Sequence, residues 1–207
     1  MTGARGELQE TFRAFFARHA DAGRVRAAEA ADPPGFDPEV WARVRPLGVP
    51  DLAVEGATVA DLAVIAEEYG RALAPIPLVE TLVARRLLDR VPPERRPELD
   101  EDSLVTVALR RPVDGVASLV PAGAVARTLL ALDGDTLVLV RDAHRAPVRP
   151  NLAAAPIADW ELTDVTVLLD GAPARDAYAA ALDDWRVLTA AALVGVARRS
   201  LDLGVEY

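Results

Sequence analysis

Along the first third of the chain, apolar residues recur at spacings of three and four, the period of a helix with one buried face. Leu8, Phe12, Phe15, Phe16 and His19 form such a stripe from residue 7 to about 20, with His19 at its edge. In FDPEVWARVRPLG, Asp37 is placed to cap a helix that starts at Pro38, and Pro46 marks its stop. Thr58 can cap the next helix, where Leu62, Ile65, Ala66 and Tyr69 share a face and Gly70 sits near the C-terminal end. PLVETLVARRLLDRV is a fourth helix, closed by Pro92 and Pro93.

PPERRPELDED, residues 92–102, holds three prolines and seven charges and has nothing to bury, which marks a boundary. Beyond it the period becomes that of strands. SLVTVAL is one candidate, RTLLALDGDTLVLVRD is a hairpin with Asp133–Gly134 between two β-rich runs, and WELTDVTVLLDG is a further strand region. Ala172 to Asp184 then lead into a terminal helix, in which Val187, Ala190, Val194, Ala197 and Leu201 make one stripe. Arg198 and Asp202 are four apart and can pair across a turn, worth about 0.2–0.5 kcal/mol when exposed. The stripe must be buried, against the N-terminal part of the chain, another chain, or a segment that this chain lacks.

Helices, then strands, then a helix predict an α+β fold. Its parts are an N-terminal helical domain (1–98), a small antiparallel β-domain (99–176) and the start of a C-terminal helical domain (177–207), one helix of an incomplete four-helix bundle.

Composition narrows the function classes. At 207 residues and 51% apolar content the chain can bury a substantial core. A net charge of −9 argues against non-specific nucleic-acid binding. The chain has neither an apolar run of membrane-spanning length nor an N-terminal signal-like segment, which predicts a cytoplasmic protein. With no cysteine there is no disulfide and no thiolate nucleophile. All 23 basic residues are arginine, beside three isoleucines and one asparagine, so codon bias discounts single arginines as site candidates.

Familiar catalytic motifs fail in turn. There is no G-x-G-x-x-G and no P-loop, and GVASLVPAG (115–123) suits a strand better than a phosphate cradle. His19 and His144 are too far apart for a metal motif, so no metal ligand is assigned. Ser103, Ser118 and Ser200 lack a G-x-S-x-G context. The carboxylate pairs Glu67–Glu68, Glu98–Asp102 and Asp183–Asp184 read as solvated faces or caps. No catalytic residue is assigned.

Several phrases, taken together, resemble the acyl-CoA dehydrogenase family. VADLAVIAEEYGRALAPIPLVETLVA is similar to its N-terminal helical domain, where an EE-x-GRALAP-x-PL run is typical of one bacterial branch. VPAGAVARTLLALDGDTLVLV and RPNLAAAPIADWELTDVTV resemble its central β-domain. AAALVGVARRSLDLGVEY resembles the opening helix of its C-terminal bundle. The resemblance spans nearly the whole chain in the family's order. It implies FAD as cofactor, an acyl-CoA substrate, and oxidation to the 2-enoyl thioester, in which a glutamate takes the alpha proton and flavin N5 accepts the beta hydride.

Two departures modify that expectation. Where the family carries T-E-P and a glycine-serine element against the flavin, this chain reads ALRRPVDGVASLVP (108–121), and only Pro112 matches. Cofactor-binding residues are therefore unassigned, and the chain alone is expected neither to hold FAD nor to oxidise acyl-CoA. In the family the catalytic glutamate falls on a segment beyond the position of Tyr207. The resemblance implies a homo- or hetero-oligomer with a flavin-competent paralogue, in which this chain is an incomplete or degenerate subunit, as in bacterial sterol and lipid side-chain degradation. A non-catalytic interaction module and a truncated reading frame are the alternatives.

Overall fold

The computed structural model describes residues 2–52, 56–99, 103–141 and 147–206. Helix α1 (Thr2–His19) is followed by α2 (Ala22–Glu29), α3 (Pro38–Val44), α4 (Val49–Leu52), α5 (Val59–Ala72) and α6 (Leu78–Asp89). Strands β1 (Val105–Val107), β2 (Val116–Val120), β3 (Thr128–Asp133), β4 (Thr136–Arg141), β5 (Ala158–Glu161) and β6 (Thr166–Asp170) come next. A single helix α7 (Gly171–Glu206) follows. The fold is α+β, as the order of periodicities predicts.

The expected start signals operate. Asp37 accepts hydrogen bonds from the backbone N–H of Glu39 and Val40 at 2.9 and 3.1 Å, with Pro38 at the first turn of α3. Thr58 opens α5 with a capping box: its hydroxyl accepts from Asp61 N–H, and Asp61 accepts from Thr58 N–H. Helix α2, which the apolar pattern does not announce, is started by Asp21 accepting from Gly23 and Arg24 N–H. Phe12 and Phe16 of α1 are buried, and the Phe16 ring stands edge-on to Tyr69 of α5. Helix α6 is buried along most of its length and packs against both α7 and β1.

Glu68, on α5, corrects a reading made from the sequence. It is no solvated face residue but 1% exposed, its carboxylate accepting from Arg13 Nη2 and Gln9 Nε2, both at 2.8 Å. Burial acts to raise its pKa, yet the hydrogen bonds from Arg13 and Gln9 and the charge of Arg13 outweigh it and hold the carboxyl below the ordinary range. A carboxylate with a depressed folded pKa contributes stability that is present above the unfolded pKa and lost as pH falls through the folded one. Glu68→Gln is accordingly expected to cost about 1–2 kcal/mol at neutral pH, Arg13 being half-exposed and screened. Its deficit should shrink on acidification, which melting curves at neutral and acidic pH would measure.

The main sheet runs β1-β3-β4-β6, and β2 pairs with β5 in a separate ribbon. Pairings are antiparallel except β1 with β3, which run parallel because β2 carries the chain away between them. The β3–β4 hairpin forms where expected but one residue later than its sequence signal. Asp133 still pairs with Thr136, and the two loop residues are Gly134 and Asp135, with Gly134 at φ 55°. WELTDVTVLLDG divides at Asp164, and its two strands enter different sheets. Trp160 of β5 is fully buried, its indole N–H donating to Gly123 carbonyl oxygen at 2.8 Å.

Helix α7 has 36 residues and crosses position 176/177 without a break. Tyr178 ties it to the end of β1 by donating to the Ala108 carbonyl at 2.6 Å. The terminal stripe is the larger surprise: Val187, Ala190, Val194, Ala197 and Leu201 are all exposed, so the N-terminal part of the chain does not cover them. The face laid on α5 is made of Leu188, Ala191, Ala192 and Gly195 instead. Small residues let two backbones meet, and that closeness selects the face. A Cβ at Gly195 would lie 1.9 Å from the Glu67 carbonyl oxygen, and one at Gly70 would lie 2.0 Å from that of Ala192. Arg198 and Asp202 do not pair with each other either. Each reaches across to α5, Arg198 to Glu67 and Asp202 to Arg71.

Candidate functional site

Helices α5, α6 and α7 and two β-domain loops enclose a cavity of about 510 Å³. That is within the range of about 300–1,000 Å³ typical of small-molecule sites. One wall is the α5–α6 connection, where Leu73 takes φ 49° and turns the chain through Ala74, Pro75, Ile76 and Pro77. The opposite wall is α7, through Trp185, Thr189, Ala192, Leu193 and Val196. Ala153 to Ile157 close a third side. That loop is braced by Asn151, whose side chain accepts from Ala153 and Ala155 N–H and donates to the Arg149 and Ala155 carbonyls. It also abuts Gly35, where a Cβ would lie 2.1 Å from the Ala154 carbonyl oxygen.

The lining is mostly apolar, and its titratable groups are Glu29, Tyr69 and Glu80. Glu80, in the first turn of α6, is the group that sequence reasoning missed. A glutamate there reads as an ordinary dipole-compensating residue, and only packing reveals that α7 covers it. Burial pushes its carboxyl above the usual range, while its own backbone N–H and the Trp185 indole act against the shift. Tyr69 is likewise raised, first by burial and then by the Glu80 charge. Glu80, Tyr69 and Trp185, each half-buried, thus line one mostly apolar cavity.

The residues singled out from the sequence are scattered elsewhere. His19 stacks beside Phe15 at the edge of α1, with ring centroids 4.8 Å apart. Ser103 is buried beside β1, Ser118 is exposed on β2, and Ser200 donates to the Val196 carbonyl on α7. His144, Asp102 and Tyr207 lie outside the described residues. Asp183 is exposed as expected, but Asp184 is buried and accepts from Arg86 and Arg90 at 3.0 and 3.1 Å. Among the described residues, no group of three or more His, Asp or Glu is placed to hold a metal, and no helix is long and apolar enough to cross a membrane.

The segment that the family resemblance assigns to the flavin is a tight turn. Asp114 and Gly115 take φ 51° and 74°, and Val113 and Val116 N–H donate to each other's carbonyls at 3.0 Å. Arg111 turns aside to the Gly134 carbonyl, and Leu119 N–H is taken by Asp159. The Val113, Val116 and Leu119 amides are therefore spent internally. Only Ser118 offers a hydroxyl on this stretch. These residues do not fit an isoalloxazine ring held by hydroxyls and free amides.

A helical layer and a small β-domain are joined by a long helix packed back across both, with a mostly apolar cavity at their junction. No protein-family profile matches the chain. It is 32% identical over 222 residues to acyl-CoA dehydrogenase IpdE2 of Mycolicibacterium smegmatis, covering 100% of this chain and 65% of that protein. Among solved structures, a variant of the Tcur3481-Tcur3483 steroid ACAD matches with a TM-score of 0.82 and 27% identity, over 100% of this chain and 66% of that one. The ChsE4-ChsE5 complex from Mycobacterium tuberculosis matches with a TM-score of 0.86 at 18% identity, over 100% and 67%, a likeness of fold. Over its whole length the chain is similar to acyl-CoA dehydrogenases. It spans 65% of the length of the curated relative.

Proposed function

We propose that this chain is a subunit of a heteromeric acyl-CoA dehydrogenase, contributing an acyl-binding cavity and docking through α7 onto a flavin-bearing partner. The bare face of α7 carries the reading. Val187, Val194, Leu201 and Val205 are exposed along one side of α7, with Leu201 at 68% and Val205 at 80%. Burying each is worth about 1.5–3 kcal/mol, so a covered state is strongly favoured over a wetted one. The Tcur3481-Tcur3483 steroid ACAD and the ChsE4-ChsE5 complex support an assembly of two different chains.

The role of this chain's own residues follows from the cavity. Its apolar walls hold an acyl chain and exclude water, and the braced loop from Asn151 to Ile157 fixes one side in advance of binding. The mismatch at 108–121 supports placing FAD, and with it the oxidation step, on the partner. Steroid or fatty acyl chains are the substrate class that the relatives suggest.

Expression alone and beside a flavin-competent paralogue tests this reading. The chain alone is expected to purify without flavin colour and without acyl-CoA oxidation. Co-expression is expected to give a yellow complex in which amide exchange from 187 to 205 slows. About one equivalent of FAD on the chain alone would overturn the assignment of the flavin to a partner, and unchanged exchange in the complex would overturn α7 as the docking face.

A further inference from the structure

We propose that the cavity prefers an acyl chain that carries a hydroxyl group, held between the Tyr69 and Thr189 hydroxyls and the Glu80 carboxyl. The inference rests on the reading of the cavity as an acyl site and names which acyl chains it takes. In a cavity for a plain hydrocarbon, polar side chains on the wall are expected to be turned to partners within the protein, because an unpaired one weakens binding. Here they are not. Among the described residues, neither the Tyr69 phenol nor the Thr189 hydroxyl makes a hydrogen bond to the rest of the chain, whereas Ser200 on the same helix α7 donates to the carbonyl four residues back. Glu80 has the Trp185 indole and its own backbone N–H beside a carboxyl that can accept about four bonds.

Their placement brings the three together. Trp185 and Thr189 are one turn apart on α7 and line the same wall. The Trp185 indole lies against the Glu80 carboxyl of α6, and Glu80 is near enough to Tyr69 of α5 for its charge to act on the phenol. Three helices thus each bring one oxygen-bearing side chain to a mostly apolar space. Those oxygens are not sealed off. Among the cavity-lining side chains described, the buried polar atom without a partner is Trp185 Nε1, while Tyr69, Glu80 and Thr189 are each half-buried.

The chemistry of these groups selects the ligand group. Both hydroxyls donate and accept, and the carboxyl accepts in either protonation state, so the complement is a neutral group that does both. A ketone oxygen only accepts and leaves the acceptor capacity of Glu80 idle. An ammonium or a carboxylate brings a full charge into a mostly apolar space. An alcohol donates to Glu80 and accepts from Tyr69 or Thr189, with no charge to desolvate. The amides of the pantetheine arm also donate and accept, but they are common to every acyl-CoA and cancel when two thioesters are compared.

The test uses the full chain with octanoyl-, decanoyl- and dodecanoyl-CoA and their (ω−1)-hydroxy and (ω−1)-oxo counterparts, read by calorimetry. At least one hydroxy thioester is expected to bind about three- to tenfold more tightly than both its parent and its oxo counterpart. Tyr69→Phe with Thr189→Val, which removes both hydroxyls at nearly constant volume, should abolish that preference. A packing role would weaken hydroxy and parent thioesters alike and leave their ratio unmoved. Because neither hydroxyl has a protein partner, each single variant should also melt no lower than the native chain, and Thr189→Val, the closer isostere, carries the binding test if the double variant is unfolded. Equal binding of every set by the native chain overturns the inference alone, as does a preference that survives in the variants or a marked drop in their melting temperature. Failure of every thioester to bind overturns the acyl-cavity reading, and this inference with it.

Discussion

Gly195→Ala is expected to cost about 3 kcal/mol or more, and Gly195→Leu to prevent folding at ordinary temperature. The added Cβ would stand 1.9 Å from the Glu67 carbonyl oxygen and 2.7 Å from Arg71 N, both backbone atoms of α5. No side chain can rotate out of the way, so α7 and α5 must separate along the most extensive helix contact in the molecule. Separation would open gaps beside Leu62, Ile65 and Leu188, each now fully buried. Gly204 on the same helix supplies the control, because a Cβ there meets nothing within 4 Å. Gly204→Ala should stabilise by about 0.5–1 kcal/mol through helix propensity alone. Urea unfolding of both variants would give the difference directly, and comparable effects of opposite rank would contradict the close crossing.

Asp184→Ala is expected to cost about 3 kcal/mol, an effect set by what is left behind. Asp184 is 7% exposed and accepts from Arg86 Nε on α6 and from Arg90 Nη2 just past its end. Arg86 is itself mostly buried, with its other contact the Ala57 carbonyl. Removing the carboxylate strands a desolvated guanidinium between α6 and α7. Asp184→Asn retains an acceptor and the volume, and should recover part of the loss. The neighbouring Asp183→Ala, which removes only an exposed pair with Arg186, should fall within about 0.5 kcal/mol of the native protein. Equal losses at 183 and 184 in thermal melts would refute the distinction.

How far the sequence could be read depended on how local the cause was. Caps act within three residues, so Asp37 with Pro38 and Thr58 with its downstream partner announce α3 and α5. The β3–β4 hairpin is local too, and only its register shifted, since Gly134 must occupy the position of positive φ. Helix α2 escaped because AGRVRAAE has too few apolar residues to show a stripe, although Asp21 caps it. On α7 the periodicity was real but pointed the wrong way. Both faces are apolar, and close backbone approach at Gly195 decided which one packs, a criterion that counting large residues cannot supply.

The site was less legible for the same reason. Glu68, Glu80 and Asp184 are acids whose chemistry is set by partners about 55 to 105 positions away along the chain, at Arg13, Trp185 and Arg86. An acid in a charged phrase such as AEEYGR looks the same whether it meets water or an arginine. The family resemblance located the right elements in order. It could not say that Glu80 of α6 and Trp185 of α7 would line one cavity.

One helix borders both the cavity and the outside. Trp185, Thr189 and Val196 line the cavity, Val187, Ala190 and Ala197 face away from it, and Leu193, exposed at 62%, belongs to the cavity rim. Held to α5 at the Gly70 and Gly195 crossings, α7 would in the proposed assembly be a stiff wall with two occupants rather than two independent surfaces. Thermodynamic linkage then binds the two events together: whatever factor an acyl chain applies to the affinity for a partner, the partner must apply to the affinity for that chain.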